Sequence, residues 1–244
     1  LDDVSVISGK DKLTHAGNSG VQYSMKALSD LYGIDIDYYF KINFTGCVKL
    51  VDALGGITIN SSVEFTNGWE ASENTYHFVV GPNECDGEKT LAFVRERKAF
   101  SAGDIQRGKN QQAAITGMIE KATSPAILAS YTSVLDAVSN MMITNMPTET
   151  ITGLIKSQIA DSTPWNVQSY SVGATASGTM YLELYDFYAS CLTPDYDDIN
   201  IAIKLINKIQ NDEVFNVDEY VESCKTPETT TTSSTNTTTK ATTR

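Results

Sequence analysis

Arg95, Arg97 and Arg107 fall within the stretch FVRERKAFSAGDIQRGKNQQ (93–112), and the chain's remaining arginine is its last residue, Arg244. A guanidinium presents parallel N–H donors that match two phosphate oxygens at once, so clustered arginines suit a phosphate or pyrophosphate site. Asp104, Arg107 and Gln111 are spaced i, i+3, i+7, which sets all three on one face of a helix. If FVRER is a strand, its period of two aims Arg95 and Arg97 to the same side; on a helix they would stand about 200° apart. A strand end and a helix start can then converge on one anion, with unpaired N–H groups and the positive end of the helix dipole added. Asp104 can cap that helix, orient an arginine, or act as a base or metal ligand, and Gln111 can donate to a phosphate oxygen. A solvated charge face accounts for the same residues, with Arg95, Arg97, Lys98 and Lys109 paired to Glu88, Glu96 and Asp104.

The elements that must position these side chains alternate between helical and strand patterns. Val21, Met25, Leu28 and Tyr32 form a helical stripe closed by Gly33. IDIDYYFKINF (34–44) alternates as a half-buried strand, Thr45 is placed to cap a helix through GCVKLVDAL, and ITIN follows as a short strand. Residues 61–86 are polar and turn-rich, which predicts an excursion with a hairpin around Trp69 and HFVV. Asp86 predicts a short helix through GEKTLA, followed by FVRER as a strand. Asp104 is expected to cap a long helix to about residue 123, with Ile115, Met118, Ile119 and Ala122 facing the core. Ser124-Pro125 restarts a helix through AILASYTSVLDAVSNMM, and another spans about 148–160. NVQSYSV and MYLELYDFY read as strands, and DDINIAIKLINKIQ as the last amphipathic helix. The alternation predicts an α/β class, arranged as an α/β/α layered fold around a central, mostly mixed sheet. We expect one domain over residues 1–225 and a disordered Thr-rich tail over 226–244, because TPETTTTSSTNTTTKATTR cannot bury enough apolar surface to fold.

Composition narrows the function. A net charge of −12 over 244 residues argues against a general nucleic-acid binder, which needs a broad basic face. Cys47, Cys85, Cys191 and Cys224 form no CxxC pair, so they do not suggest zinc. Two disulfides are possible in an oxidising compartment, with Cys191 and Cys224 the favoured pair, and four free thiols are the alternative. His15 and His77 are too far apart in sequence to suggest a metal pair, and no nucleotide or nucleophile-elbow motif stands in its proper context. No apolar run reaches membrane-spanning length and the N-terminus lacks a signal-peptide pattern. The sequence starts at Leu1 without an initiator Met, so the chain reads as processed or a fragment. Lys12 and His15, in DKLTHAG, sit where a helix start could present them to a site, with a solvated loop as the default reading.

TLAFVRERKAFSAGDIQRGKNQQ closely resembles the signature of the LytR–CpsA–Psr family, which reads roughly ALAFVRxR…GDxxRxxxQQ. DKLTHAG, LYGIDIDYYFKINFTGCVKLVDALGGI and YHFVVGPNECDGEKTLAF agree with the family in the same order, and YTSVLDAVSNMMITNMPTETITGLI resembles its capsule-polymer branch. The resemblance covers about residues 9–210. It implies an α/β/α enzyme, anchored by an N-terminal helix at the outer face of the cell membrane. Such an enzyme transfers a capsular or teichoic-acid glycopolymer from a polyprenyl-pyrophosphate carrier to peptidoglycan through a phosphodiester. It further implies that Arg95, Arg97, Arg107 and Gln111 grip the pyrophosphate, that Asp104 and Arg107 are catalytic, and that Lys12 is a further contact. An apolar tunnel for the polyprenyl tail is expected beside them. Mg²⁺ is the implied cofactor, with aspartate ligands upstream, so the chain is expected to lack the N-terminal third of the domain and its metal ligands stay unknown. The partners expected are the lipid-linked glycan, peptidoglycan and the membrane lipid surface, with no nucleic acid. A second reading is a non-catalytic polyprenyl-phosphate binding or regulatory protein; the family has been labelled a transcriptional attenuator, yet no helix-turn-helix pattern or basic face supports DNA binding.

Overall fold

The computed structural model describes residues 11–101, 103–161, 163, 165–182 and 185–225. The tail over 226–244 therefore lies outside the described residues. After a 3₁₀ helix (Leu13–Ser19) come α1 (Val21–Tyr32), β1 (Phe40–Ile42), α2 (Phe44–Ala53), β2 (Ile57–Ser61), β3 (Phe65–Thr66), β4 (His77–Phe78) and β5 (Gly81–Cys85). Next are α3 (Gly87–Arg95), α4 (Gly103–Ala122), α5 (Pro125–Leu128), α6 (Tyr131–Val138), β6 (Met142–Thr144) and α7 (Thr148–Asp161). The hairpin β7 (Ala174–Leu182) and β8 (Phe187–Pro194) is followed by α8 (Tyr196–Gln210) and α9 (Val217–Lys225). The α/β class holds. Among the described residues the strands pair as four two-stranded antiparallel ladders, β1–β6, β2–β5, β3–β4 and β7–β8, rather than as one mixed central sheet.

Several boundaries differ from the sequence reading, each for a local reason. Residues 34–39 do not continue β1, because Asn145 takes their backbone groups: its Oδ1 accepts from Tyr39 N (2.9 Å) and its Nδ2 donates to Asp37 O (2.7 Å). Asn43, not Thr45, caps α2, with Oδ1 accepting from Gly46 N at 2.7 Å. Asp86 caps α3 as expected, accepting from Lys89 N at 2.8 Å, but the helix runs on through Phe93, Val94 and Arg95. Only the first three residues of the predicted strand FVRER are helical, forming the last turn of α3 held by burial of Thr90, Ala92 and Phe93, and Glu96 and Arg97 lie beyond it. Asp104 lies within the first turn of α4 and is not its cap. The helix expected after Pro125 breaks into α5 and α6 at Ala129–Ser130, and residues 166–172 form no strand. All four cysteines are free thiols, so the favoured Cys191–Cys224 disulfide is not formed. Burial pushes the Cys85 thiol up to about 11.

The core sits where α2, α3 and α4 close over the β2–β5 ladder: Val51, Leu54, Ile57, Ile59, Phe78, Phe93 and Ala114 are all buried there. Ile115 was expected on the core side of α4, yet it is 55% exposed, and the buried residues are Asn110, Ala114 and Gly117. Close approach explains the choice of small residues, since a Cβ on Gly117 would stand 2.4 Å from the Thr58 carbonyl oxygen on β2. Gly117→Ala is therefore expected to lower stability by about 1–2 kcal/mol, overpacking outweighing the roughly 1 kcal/mol that alanine gains in a helix. A urea unfolding midpoint that is unchanged or raised would contradict that contact.

Four phenylalanines tie the arginine stretch to this core. Phe65 stacks on Phe78 (4.7 Å between ring centroids), meets Phe93 at 5.4 Å and takes Phe100 edge-on at 4.8 Å. Phe93 and Phe100 bracket Arg95 and Arg97, so the guanidiniums hang from a segment pinned at both ends. Farther along, Gln112 of α4 donates to Tyr170 O (3.2 Å) and accepts from Ser171 Oγ (2.6 Å), fixing the chain that leads into β7. Asp198 on α8 accepts from Tyr170 Oη and Gly173 N, both at 2.8 Å. Those two hydrogen bonds hold its carboxyl below the usual range, while burial and the Asp198 carboxylate push the Tyr170 phenol up.

Candidate functional site

The arginine stretch is neither of the two arrangements its sequence suggests. Helix α3 ends at Arg95, and Glu96 turns the backbone into an extended conformation (φ −60°, ψ 134°) before Arg97. The helical angle that would separate the two arginines therefore does not apply. The turn is made by Glu96 itself, which is 2% exposed. Its Oε1 accepts from Arg97 N and Ala99 N, both at 2.9 Å, and its Oε2 accepts from Gly68 N at 2.5 Å. Burial pushes this carboxyl up, but the N–H groups of Gly68, Ala99, Arg97 and Lys98 together outweigh it and hold the group below the usual carboxylate range.

Helix α4 secures the other side. A helix C-terminus leaves its last carbonyls without intrahelical donors. Asn110 Nδ2 donates to Phe93 O (3.4 Å) and Gln111 Nε2 to Val94 O (3.5 Å), so adjacent residues of α4 satisfy the end of α3. Gln111 thus has a structural task beside the predicted anion contact. Asp104 then joins the arginines across the loop: its Oδ2 stands 2.9 Å from Arg97 Nη2 and its Oδ1 2.7 Å from Arg107 Nη2. The Arg97 side chain lies over the N-terminus of α4, with Cγ and Nε 3.6 and 3.7 Å from where a Gly103 Cβ would stand. Arg97 and Arg107 are therefore gathered on one carboxylate at the positive end of a twenty-residue helix.

Arg95 is held by other partners. Its Nη2 donates to Glu70 O at 3.1 Å, and its guanidinium lies over the Phe44 ring at 5.3 Å. Lys98 pairs with the Glu70 carboxylate at 2.5 Å, so the loop carrying Glu70 is strapped to the arginine stretch twice. All of these charged groups keep substantial exposure, which leaves the cluster open to a ligand. Lys12 is not brought to it by any hydrogen bond or ion pair among the described residues. Its segment packs on α1 and meets Tyr185 through His15 (ring centroids 4.8 Å) and Asn18 (2.9 Å). Sequence reasoning missed Glu70, Phe44 and the anchoring role of Glu96. Only Glu96 left a trace, as the one acid inside an arginine pair. An apolar cleft of 560 Å³, lined in part by Pro125, Leu128 and Trp165, includes Glu120 of α4. That is roughly 20 Å of helix rise beyond Arg107, so this cleft is not continuous with the arginines.

The Mg²⁺ implied by the resemblance finds no matching donor set in this region. Both Asp104 oxygens face guanidiniums, and no group of three or more His, Cys, Asp or Glu suited to a metal occurs among the described residues. No helix among them is long and apolar enough to cross a membrane. Chemically the cluster is suited to an anion, because two guanidiniums are gathered on one carboxylate at a helix start.

The model of the LytR_cpsA_psr family matches residues 2–193, taking in every element of this site. The chain belongs to that family. Among its relatives is the polyisoprenyl-teichoic acid–peptidoglycan teichoic acid transferase TagU of Bacillus mycoides, 34% identical over 149 residues, covering 59% of this chain and 47% of that protein. The chain thus spans about half the length of the curated relatives it matches. Among solved structures, the Lin1025 protein of Listeria innocua is 28% identical with a TM-score of 0.62, covering 81% of this chain and 80% of that one. The TagV structure of B. subtilis superimposes with a TM-score of 0.66 at 20% identity over 87% of this chain and 79% of that one, a likeness of fold.

Proposed function

We propose that this chain is the pyrophosphate-binding part of a transferase. In this reading it moves a teichoic-acid or capsule-type glycopolymer from a polyprenyl-pyrophosphate carrier to peptidoglycan at the outer face of the cell membrane. One observation carries the reading: Asp104 holds Arg97 and Arg107 together at the start of α4, with Arg95 on the adjoining helix end. The relatives named as teichoic acid transferases support the substrate class. An acceptor hydroxyl of peptidoglycan attacks the phosphorus next to the sugar, and the bond from that phosphorus to the oxygen bridging the pyrophosphate breaks. Polyprenyl monophosphate leaves, the hydroxyl proton passes to water, and the sugar remains joined to the acceptor by a phosphodiester. Charge on the non-bridging oxygens and on the departing phosphate is what the arginines stabilise. Asp104, with each oxygen against a guanidinium, orients the arginines instead of accepting the proton. The Mg²⁺ of the family resemblance stays part of the proposal, with ligands outside the described residues, and no step is routed through it.

The test incubates the complete protein with a polyprenyl-pyrophosphate oligosaccharide, a peptidoglycan fragment and Mg²⁺, and follows sugar transfer by mass. Product is expected with the parent and is expected to fall about tenfold or more with Arg95→Ala, which removes one phosphate-directed fork. Lipid retained without product would support a binding-only protein. Transfer by Arg95→Ala at the parent rate would remove Arg95 from the site.

A further inference from the structure

We propose that Trp69 forms the sugar-facing edge of the arginine site, stacking on the saccharide ring attached directly to the bound phosphate. The proposal rests on the phosphate reading above and adds to it what lies next to the phosphate. Trp69 is 81% exposed, and its indole has no ring or cation partner among the described residues. A lone exposed aromatic carries no meaning by itself. Its mounting does.

Trp69 sits at a turn in which Ala71 N donates to Gly68 O at 3.0 Å. Both ends of that turn are fixed in the protein. Gly68 N donates to the buried Glu96 carboxylate at 2.5 Å, and Ala71 is 3% exposed. Asn67, itself buried, clamps the base by donating to Asn74 O (2.9 Å) and accepting from Tyr76 N (2.7 Å). The next residue, Glu70, receives Arg95 on its carbonyl and Lys98 on its carboxylate. A rigid turn thus displays a bare indole between two residues that are each bonded to the arginine stretch.

Such a pairing selects a ligand with two neighbouring features, an anion for the guanidiniums and an apolar face for the ring. A glycosyl phosphate has both, because the axial C–H groups of a pyranose make one face apolar while its hydroxyls stay in water. Holding the turn's backbone in place before the ligand arrives limits the ordering cost of that contact to the indole's own rotamers. The turn would then help decide which first sugar is accepted, while the arginines bind the phosphate of any.

Trp165 is the chain's other tryptophan, so a Trp165→Phe background makes Trp69 the only indole reporter. Inorganic phosphate, N-acetylglucosamine 1-phosphate and geranyl phosphate are titrated by calorimetry, with tryptophan emission as the second readout. The sugar phosphate is expected to bind about tenfold more tightly than phosphate and to change the emission of Trp69. Trp69→Ala should bring it to the level of phosphate, Trp69→Phe should keep most of the gain, and phosphate itself should bind equally to all three. The proposal is overturned if the sugar adds nothing, if Trp69→Ala keeps the gain, or if geranyl phosphate shows the larger Trp69-dependent gain. In those three outcomes arginine-dependent phosphate binding survives. Absence of phosphate binding by the parent would overturn both readings together.

Discussion

Arg107→Ala is expected to lower sugar transfer by about 10²–10³-fold, the range seen when one preorganised donor to a developing oxyanion is removed. Asp104→Asn is expected to act differently. The carboxylate that gathers Arg97 and Arg107 also competes with the substrate for both, so its neutral isostere frees positive charge while loosening the geometry. Binding of the lipid pyrophosphate should therefore be unchanged or tighter in Asp104→Asn, while turnover falls by roughly tenfold to a hundredfold. For Arg107→Ala, binding and turnover should both fall. The double variant should lose less than the two single losses combined, since Asp104 acts in part through Arg107 and coupled effects do not add, with the remainder reporting its hold on Arg97. Single-turnover kinetics with a separate binding measurement distinguishes these patterns. A parallel loss of binding in Asp104→Asn would mean that the aspartate touches the substrate and does not merely aim the arginines.

The sequence made the chemistry more legible than the geometry. Asp104, Arg107 and Gln111 share a helical face because i, i+3, i+7 spacing requires it, and the helix is there. Arg95 and Arg97 were harder, because both available templates assumed one regular element through FVRER. The chain leaves the helix between them, and the cause is a buried carboxylate accepting amides from Arg97, Ala99 and distant Gly68. No local pattern announces that a glutamate between two arginines will turn inward, since the decisive partner is 28 residues away. The core face of α4 was misjudged for a related reason. Hydrophobicity favours Ile115, but Thr58 on β2 stands too close to Gly117 for any side chain there, and Ala114 is the buried residue one turn before it. Strand lengths failed where a side chain replaced a partner strand, as Asn145 does for residues 37–39. Caps, by contrast, depend on a few adjacent residues, and Asp86 was read correctly from them.

Glu96 should accordingly be the most sensitive single position for stability near the site. Glu96→Ala removes a carboxylate that satisfies three backbone N–H groups across two segments, and leaves those donors without a charged acceptor. Hydrogen bonds to charged groups contribute about 1.5–3 kcal/mol each, and partial rehydration of the donors recovers some of that, so a net loss of about 3 kcal/mol is expected. Glu96→Gln keeps one acceptor oxygen but turns an NH₂ group toward backbone donors, and about half that loss is expected. The two states of the wild-type carboxyl fix the sign with pH. Its folded pKa is depressed, so the stability it contributes is fully present above the unfolded value of about 4.3 and is lost as pH falls through the folded value. The gap in urea midpoint between wild type and Glu96→Gln should thus be widest near neutrality, narrow as pH falls below about 4.3, and close once pH has passed the folded value. A gap that stays constant down to pH 3 would show that the lost contribution is packing and not the ionised carboxylate. Because the same carboxylate holds Gly68, and through it the turn bearing Trp69 and Glu70, the variant should also weaken phosphate binding at neutral pH while still folded. Arg95 and Arg97 are then unchanged in identity but no longer aimed by a fixed backbone, and high salt, which screens their charge in both proteins, should narrow that difference.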